Sequence, residues 1–206
     1  MKVLMINGSP KRNGVCNFAL ETIGSVLKEE GIDFEIIQVS GQVIAGCLGC
    51  GYCMANKKCV QTKDFVNEVG SKCKEADGFI FASPTYYAGV SGQLKSLLDR
   101  LYYAYGDNLS YKPGAAIASA RRAGTLSVFD DINKYFSINN QPIVTSNYWN
   151  NIFGNSVQEA KQDEEGIFVL KQLGHNMAYM LKALKLAEES GLERKKEKRV
   201  GTNFIR

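Results

Sequence analysis

Gly78-Phe79-Ile80-Phe81-Ala82-Ser83-Pro84 runs without polar alternation until the proline ends it. A strand with one wet face alternates polar and apolar residues, whereas a strand covered on both faces does not. This stretch therefore predicts a central strand of a parallel sheet. Working outward, apolar residues at helical spacing predict helices over 65–76 before it and 91–103 after it. Residues 2–6 form another short apolar run, and from Gly14 the positions Val15, Phe18, Ala19, Ile23, Val26 and Leu27 recur with helical period until Gly31. Further strands are expected at 34–39, 115–120 and 142–146, with helices at 125–136 and 168–189. Strands alternating with helices across short connections define an α/β protein with a doubly wound, five-stranded parallel sheet and helices on both faces.

Two stretches stay irregular, residues 40–64 and 147–166. Loops of that length within a compact domain are usually functional. The 206 residues, 45% of them apolar, suffice for one domain spanning 1–206 with a helical extension from about 147, and a second full domain is not expected. No segment approaches the ~20 uncharged apolar residues of a membrane span. Met1-Lys2-Val3-Leu4 leads straight into a strand with no signal for cleavage. The expectation is a cytoplasmic protein with no membrane and no nucleic-acid partner. Net charge is only +4, and the basic run 194–199, interrupted by Glu197, reads as a solvated helix end.

In a doubly wound sheet, ligands bind beyond the carboxyl ends of the strands, near the switch in strand order. The first such loop reads Asn7-Gly8-Ser9-Pro10-Lys11-Arg12-Asn13-Gly14-Val15-Cys16-Asn17. It offers hydroxyl and amide donors, two cations and the amino end of the next helix, whose free N–H groups and dipole favour an anion. It lacks the patterns of nucleoside-triphosphate and dinucleotide loops, which leaves a monophosphate as the better match. The loop after the third strand, Ser83-Pro84-Thr85-Tyr86-Tyr87-Ala88-Gly89, supplies flat amphipathic surface for a planar ring, with Gly89 read as permitting a tight turn. A third polar loop, Ser119-Ala120-Arg121-Arg122-Ala123-Gly124-Thr125, reaches the same edge.

Gly8-Ser9-Pro10-Lys11-Arg12-Asn13-Gly14, Ser83-Pro84-Thr85-Tyr86-Tyr87, and Gln93-Leu94-Lys95 with Asp99-Arg100 resemble the NADPH-dependent FMN reductase family of flavodoxin-like proteins, over roughly residues 1–146. The resemblance implies strand order 2-1-3-4-5, FMN as cofactor, and NADPH or NADH as electron donor. It places Ser9, Lys11, Arg12, Cys16 and Asn17 around the phosphate, and Pro84, Thr85, Tyr86 and Tyr87 along the isoalloxazine ring. Ser119, Arg121, Arg122 and Gly124 fall at the ring's far edge. The family usually has Ser or Thr where this chain has Cys16, and a thiol is a weak donor. A homodimer or homotetramer is implied as well, with the cysteine loop near a neighbouring subunit.

Six cysteines stand out, four of them spaced Cys47-x2-Cys50-x2-Cys53-x5-Cys59. Crowded thiols in a reducing compartment argue for metal or redox chemistry, because soft thiolates select iron–sulfur clusters or zinc. The spacing resembles the iron–sulfur flavoprotein branch, in which four cysteines hold a 4Fe–4S centre. A cluster, structural zinc, and thiols that merely pack or oxidise remain open alternatives. Cys73 reads as a core residue and His175, the sole histidine, as a surface or packing residue. No acid–base catalyst is assigned, since a flavin supplies the reactive group itself. Three functions follow: an NAD(P)H-driven reductase of a small acceptor such as a quinone, nitroaromatic or free flavin; an electron carrier fed by ferredoxin; or a zinc-bearing module that contacts a partner through Tyr102-Tyr103-Ala104-Tyr105. Tyr102, Tyr103, Tyr105, Phe129, Phe136 and Trp149 read better as core and subunit interface.

Overall fold

The computed structural model describes every residue except Arg199 and Arg206, so the last position of the basic run 194–199 lies outside the described residues. Chain order is β1 (Lys2–Asn7), α1 (Val15–Glu29), β2 (Asp33–Gln38), α2 (Tyr52–Asn56), α3 (Val66–Glu75), β3 (Gly78–Pro84), α4 (Gly92–Leu109), β4 (Gly114–Ala120), α5 (Thr125–Ile138), β5 (Asn151–Phe153), α6 (Val157–Ala160) and α7 (Glu164–Glu189). The strands form one sheet in the order β2-β1-β3-β4-β5, every neighbouring pair parallel. Among the described residues, no helix is long and apolar enough to cross a membrane.

The unbroken apolar run that predicts β3 has its cause in the layers. Ile80 and Ala82 join a core with α1 and α7, while Phe79 and Phe81 join a second core with α3, α4 and α5 on the other face. The Phe81 and Phe136 rings stack with centroids 5.2 Å apart. Each fully buried side chain of this size contributes about 1.5–3 kcal/mol. At the sheet edge, β2 carries Glu35, held by the ammonium groups of Lys2 and Lys72, each at 2.6 Å. Charge of this kind discourages further strand addition.

The fifth strand lies elsewhere than the expected 142–146. Residues 142–144 touch β4 only through an isolated bridge, Gly114 N–H to the Pro142 carbonyl (2.9 Å) and Val144 N–H to the Gly114 carbonyl (2.8 Å). The chain then leaves the sheet and returns as Asn151–Phe153, paired to β4 from Ala118 to Ala120. Asn150 fills the break: its side-chain amide donates to the Ala116 carbonyl at 3.0 Å. The long terminal helix starts at Glu164, one turn before the expected 168, with Asp163 as its cap. That carboxylate accepts from Gly166 N–H (2.9 Å) and from Phe153 N–H (2.7 Å), which ties α7 to β5. Cys73 is buried and His175 is half-exposed beside Glu30, as expected. Phe136 is core, Tyr102, Tyr105 and Phe129 pack against it, and Tyr103 and Trp149 are exposed.

Candidate functional site

The first loop is shaped by a buried amide. Asn7, at the end of β1, accepts from Ser9 N–H at 3.0 Å and donates to the Arg12 carbonyl and the Gln38 side chain. Lys11 N–H closes onto Ser9 Oγ (3.1 Å), and Gly14 N–H onto the Lys11 carbonyl (3.2 Å). The loop delivers the chain to α1, whose start at Val15 carries no side-chain cap. Its first-turn N–H groups therefore face the cleft with their positive dipole end free for an anion.

That cleft measures about 670 Å³, within the ~300–1,000 Å³ of small-molecule sites. Ser9, Lys11, Cys16, Pro84, Thr85, Tyr86, Ser119 and Arg121 line it. Its described lining holds two cations and no carboxylate. Thr85 Oγ1 is buried there with no partner among the protein's own atoms. A buried hydroxyl without a partner costs free energy, so the cleft is polar in a way that a ligand would satisfy. A larger hollow of about 990 Å³ lies at the opposite edge of the sheet, bounded by Met1, Asp77 and Pro113. That edge holds the amino ends of strands, where this architecture does not bind ligands.

Cys16 does not stand free as a weak donor. Its Sγ lies 3.2 Å from Ser119 Oγ, which joins the first and third loops, and burial pushes the thiol up to about 12. It is therefore neutral at ordinary pH. Arg12 is exposed and contributes its carbonyl, Asn17 accepts from Gln38 (2.7 Å), and neither lines the cleft. Tyr87 and Arg122 are also exposed and outside it.

The third-strand loop turns differently from the glycine-based expectation. Tyr86 and Gly89 exchange both backbone hydrogen bonds at 3.0 Å, and the residues between them, Tyr87 (φ 49°) and Ala88 (φ 55°), adopt the left-handed conformation. Two consecutive left-handed residues with side chains are strained. This turn aims Tyr86 into the cleft and Tyr87 into solvent. Gly124 sits behind it at φ 88°, where an added Cβ would lie 2.9 Å from Thr85 Cγ2 and 3.1 Å from Ala88 Cα. Gly124→Ala is expected to destabilise the protein by about 1–3 kcal/mol through backbone strain and this contact. Thermal unfolding checks it, and an unchanged midpoint would contradict the packing described.

Sequence reasoning missed Asn13, Gly14, Val15 and Ala120 as lining residues, and the whole fourth wall, residues 154–158. The signal for that wall was Ile152-Phe153 followed by Gly154-Asn155-Ser156, a short strand running into a capped helix. Ser156 Oγ accepts from Glu159 N–H at 3.2 Å.

The cysteine loop packs beside α4. Cys47 and Cys50 are exposed, Cys53 and Cys59 half-buried, and all are free thiols. Cys53 rides on α2, a short helix that the sequence did not reveal. The donor set, four unpaired thiols on one loop, suits a soft metal centre. Among the described residues, no three of His, Cys, Asp or Glu converge closely enough to hold a metal ion. The loop is pinned by Arg100, whose guanidinium is fully buried and paired with Asp64. Burial opposes that charge, and the Asp64 carboxylate and Cys59 sulfur more than offset it, so the guanidinium holds its proton more tightly than usual.

A five-stranded parallel sheet in this order, with a polar cleft over the carboxyl ends of β1, β3 and β4, defines a flavodoxin-like protein. The match to the family model for NADPH-dependent FMN reductases spans residues 1–155, and the chain belongs to that oxidoreductase family. An iron-sulfur flavoprotein of Methanocaldococcus jannaschii is 34% identical over 193 residues, which cover 90% of this chain and 100% of that protein. RosB, solved with 8-demethyl-8-formylriboflavin-5'-phosphate bound, superposes with a TM-score of 0.70 at 14% identity, covering 100% of this chain and 92% of that one. An archaeal flavodoxin gives a TM-score of 0.59 at 17% identity, covering 88% and 99%.

Proposed function

We propose that the protein is an FMN-dependent oxidoreductase that takes electrons from NADPH or NADH and delivers them to a small acceptor such as a quinone, a nitroaromatic or free flavin. The observation that carries this reading is the cleft itself. An uncapped helix start, two cations and the unpartnered Thr85 hydroxyl meet in a space with no carboxylate. FMN, when bound, supplies the hydride-accepting chemistry, so the chain's residues need only bind, orient and exclude water. Ser9, Asn13, Cys16 and the first-turn N–H groups of α1 would hold the phosphate, with Lys11 and Arg121 balancing its charge. Pro84, Thr85 and Tyr86 would bind the ring together with Ser119 and Ala120, while residues 154–158 would limit access of water. The flavin phosphate bound to RosB supports the same class of ligand here.

Cys16 gives a direct check on the phosphate contacts. Cys16→Ser puts a stronger donor at a position already hydrogen-bonded to Ser119, and FMN affinity is expected to rise about 2–10-fold. Quenching of flavin fluorescence measures it, and weaker binding would place the phosphate elsewhere.

A second reading is favoured by the four-cysteine loop and by the iron-sulfur flavoproteins among the chain's relatives. In it, Cys47, Cys50, Cys53 and Cys59 hold a 4Fe–4S cluster, and the protein is an electron carrier fed by ferredoxin. Anaerobic mixing with NADPH, NADH and then reduced ferredoxin separates the two. Bleaching of the flavin by a nicotinamide nucleotide with steady turnover supports the reductase. Bleaching by ferredoxin alone overturns it in favour of the carrier. Assembly as a homodimer or homotetramer is part of either reading, supported by the exposed Leu48, Met54, Tyr87 and Trp149. Light scattering that finds only monomer would overturn that assembly.

A further inference from the structure

Arg100 belongs to the Asp99-Arg100 motif, for which neither reading above has a use. Its guanidinium has five N–H groups and, in this fold, five acceptors, all on the cysteine loop. Nε donates to Cys59 Sγ at 3.3 Å, Nη1 to the Ala45 carbonyl (3.1 Å) and to Asp64, and Nη2 to the Gln61 carbonyl (3.1 Å) and to Asp64 (3.0 Å). The same cysteine is held a second time through its backbone. Cys59 N–H donates to Asn67 Oδ1 (2.9 Å), Asn67 Nδ2 donates to the Cys59 carbonyl (3.1 Å), and the Tyr105 hydroxyl fixes that Oδ1 at 2.9 Å. Cys47, in contrast, receives one long N–H contact from Gly49 at 3.5 Å, within its own exposed turn.

We propose that Arg100 is a positioning residue, which with Asn67 and Tyr105 pre-sets Cys59 as the fixed corner of a metal centre that Cys47, Cys50 and Cys53 complete. The proposal rests on the reading that this loop holds a metal. Outer partners of a ligand orient it and tune the metal, and their loss typically costs about 10–100-fold in affinity. A planar guanidinium reaches sulfur, carboxylate and two carbonyls together, which an ammonium does not. An N–H bond to a cluster sulfur also stabilises the reduced cluster, so its removal lowers the cluster potential.

The test uses the full apo chain titrated anaerobically with Co(II), read by thiolate-to-cobalt charge-transfer absorbance. Each thiol releases its proton to solvent as its sulfur–cobalt bond forms. Arg100→Lys, which keeps the charge opposite Asp64, is expected to weaken Co(II) binding about 10–100-fold, and Tyr105→Phe about 3–10-fold. After reconstitution with iron and sulfide, the cluster potential of Arg100→Lys is expected to fall while the flavin potential holds. Wild-type Co(II) affinity in both variants, with an unmoved cluster potential in Arg100→Lys, would overturn the positioning role. Absence of any thiolate–cobalt band in the wild-type chain would instead overturn the metal reading on which it rests.

Discussion

Arg100→Met is expected to lower the unfolding free energy by about 3–5 kcal/mol, the cost of leaving one partner of a buried ion pair uncompensated. The Asp64 side chain is only 7% exposed and that of Arg100 is 0% exposed, so water cannot replace the lost guanidinium. Three further acceptors, Ala45 O, Gln61 O and Cys59 Sγ, lose their donor at the same time. Adding Asp64→Asn to Arg100→Met removes the orphaned charge and is expected to recover a substantial part of the loss, the signature of a coupled pair. Urea unfolding of the two single variants and the double variant measures this. A loss below about 1 kcal/mol for Arg100→Met would match an exposed ion pair and contradict the burial described.

Alkaline pH is expected to produce the second large effect. Burial pushes the Cys16 and Cys73 thiols from an ordinary value of 9.0 up to about 12. The folded state therefore binds these two protons more tightly than the unfolded state. Their contribution is fully present below pH 9 and is lost as the pH rises toward 12, at about 1.4 kcal/mol per pH unit for each thiol. Denaturant unfolding between pH 8 and 10.5 should show stability falling steeply only above about pH 9. Between pH 9 and 10, below the range where the raised phenols of Tyr102, Tyr105 and Tyr135 join the loss, Cys73→Ala should remove about half of that slope, at the cost of a small cavity. A slope unaltered by the substitution would assign the alkaline loss to other groups.

Much of the fold was legible because its layers impose simple patterns. β3 and β4 are covered on both faces, and their residues read as unbroken apolar runs with strand limits close to those observed. The fifth strand escaped because it is interrupted. Pro142-Ile143-Val144 has the apolar character of a strand but makes a single bridge, while the residues that do pair, Asn151-Ile152-Phe153, are too few to show a period. Misplacing that strand also hid the fourth wall of the cleft, since residues 154–158 are recognisable only as the loop that follows it.

At the site, loop identity was readable and side-chain direction was not. Ser9, Lys11, Thr85 and Tyr86 face the cleft, yet Asn17 turns to Gln38 and Tyr87 to solvent. Those directions come from contacts distant in sequence and from the left-handed turn at Tyr87 and Ala88, which no local preference announces. Arg100 gave no signal beyond a motif, because its acceptors lie 36 to 55 residues earlier in the chain.

The central claim is that the cleft recognises a flavin through its phosphate. Equilibrium titration of the flavin-free protein with FMN and with riboflavin, followed by fluorescence, tests it most directly. The account predicts saturable binding of one FMN per chain and about 100-fold weaker binding of riboflavin, reflecting the lost charge-assisted bonds. Equal affinity for the two flavins, or no binding of FMN, would contradict it.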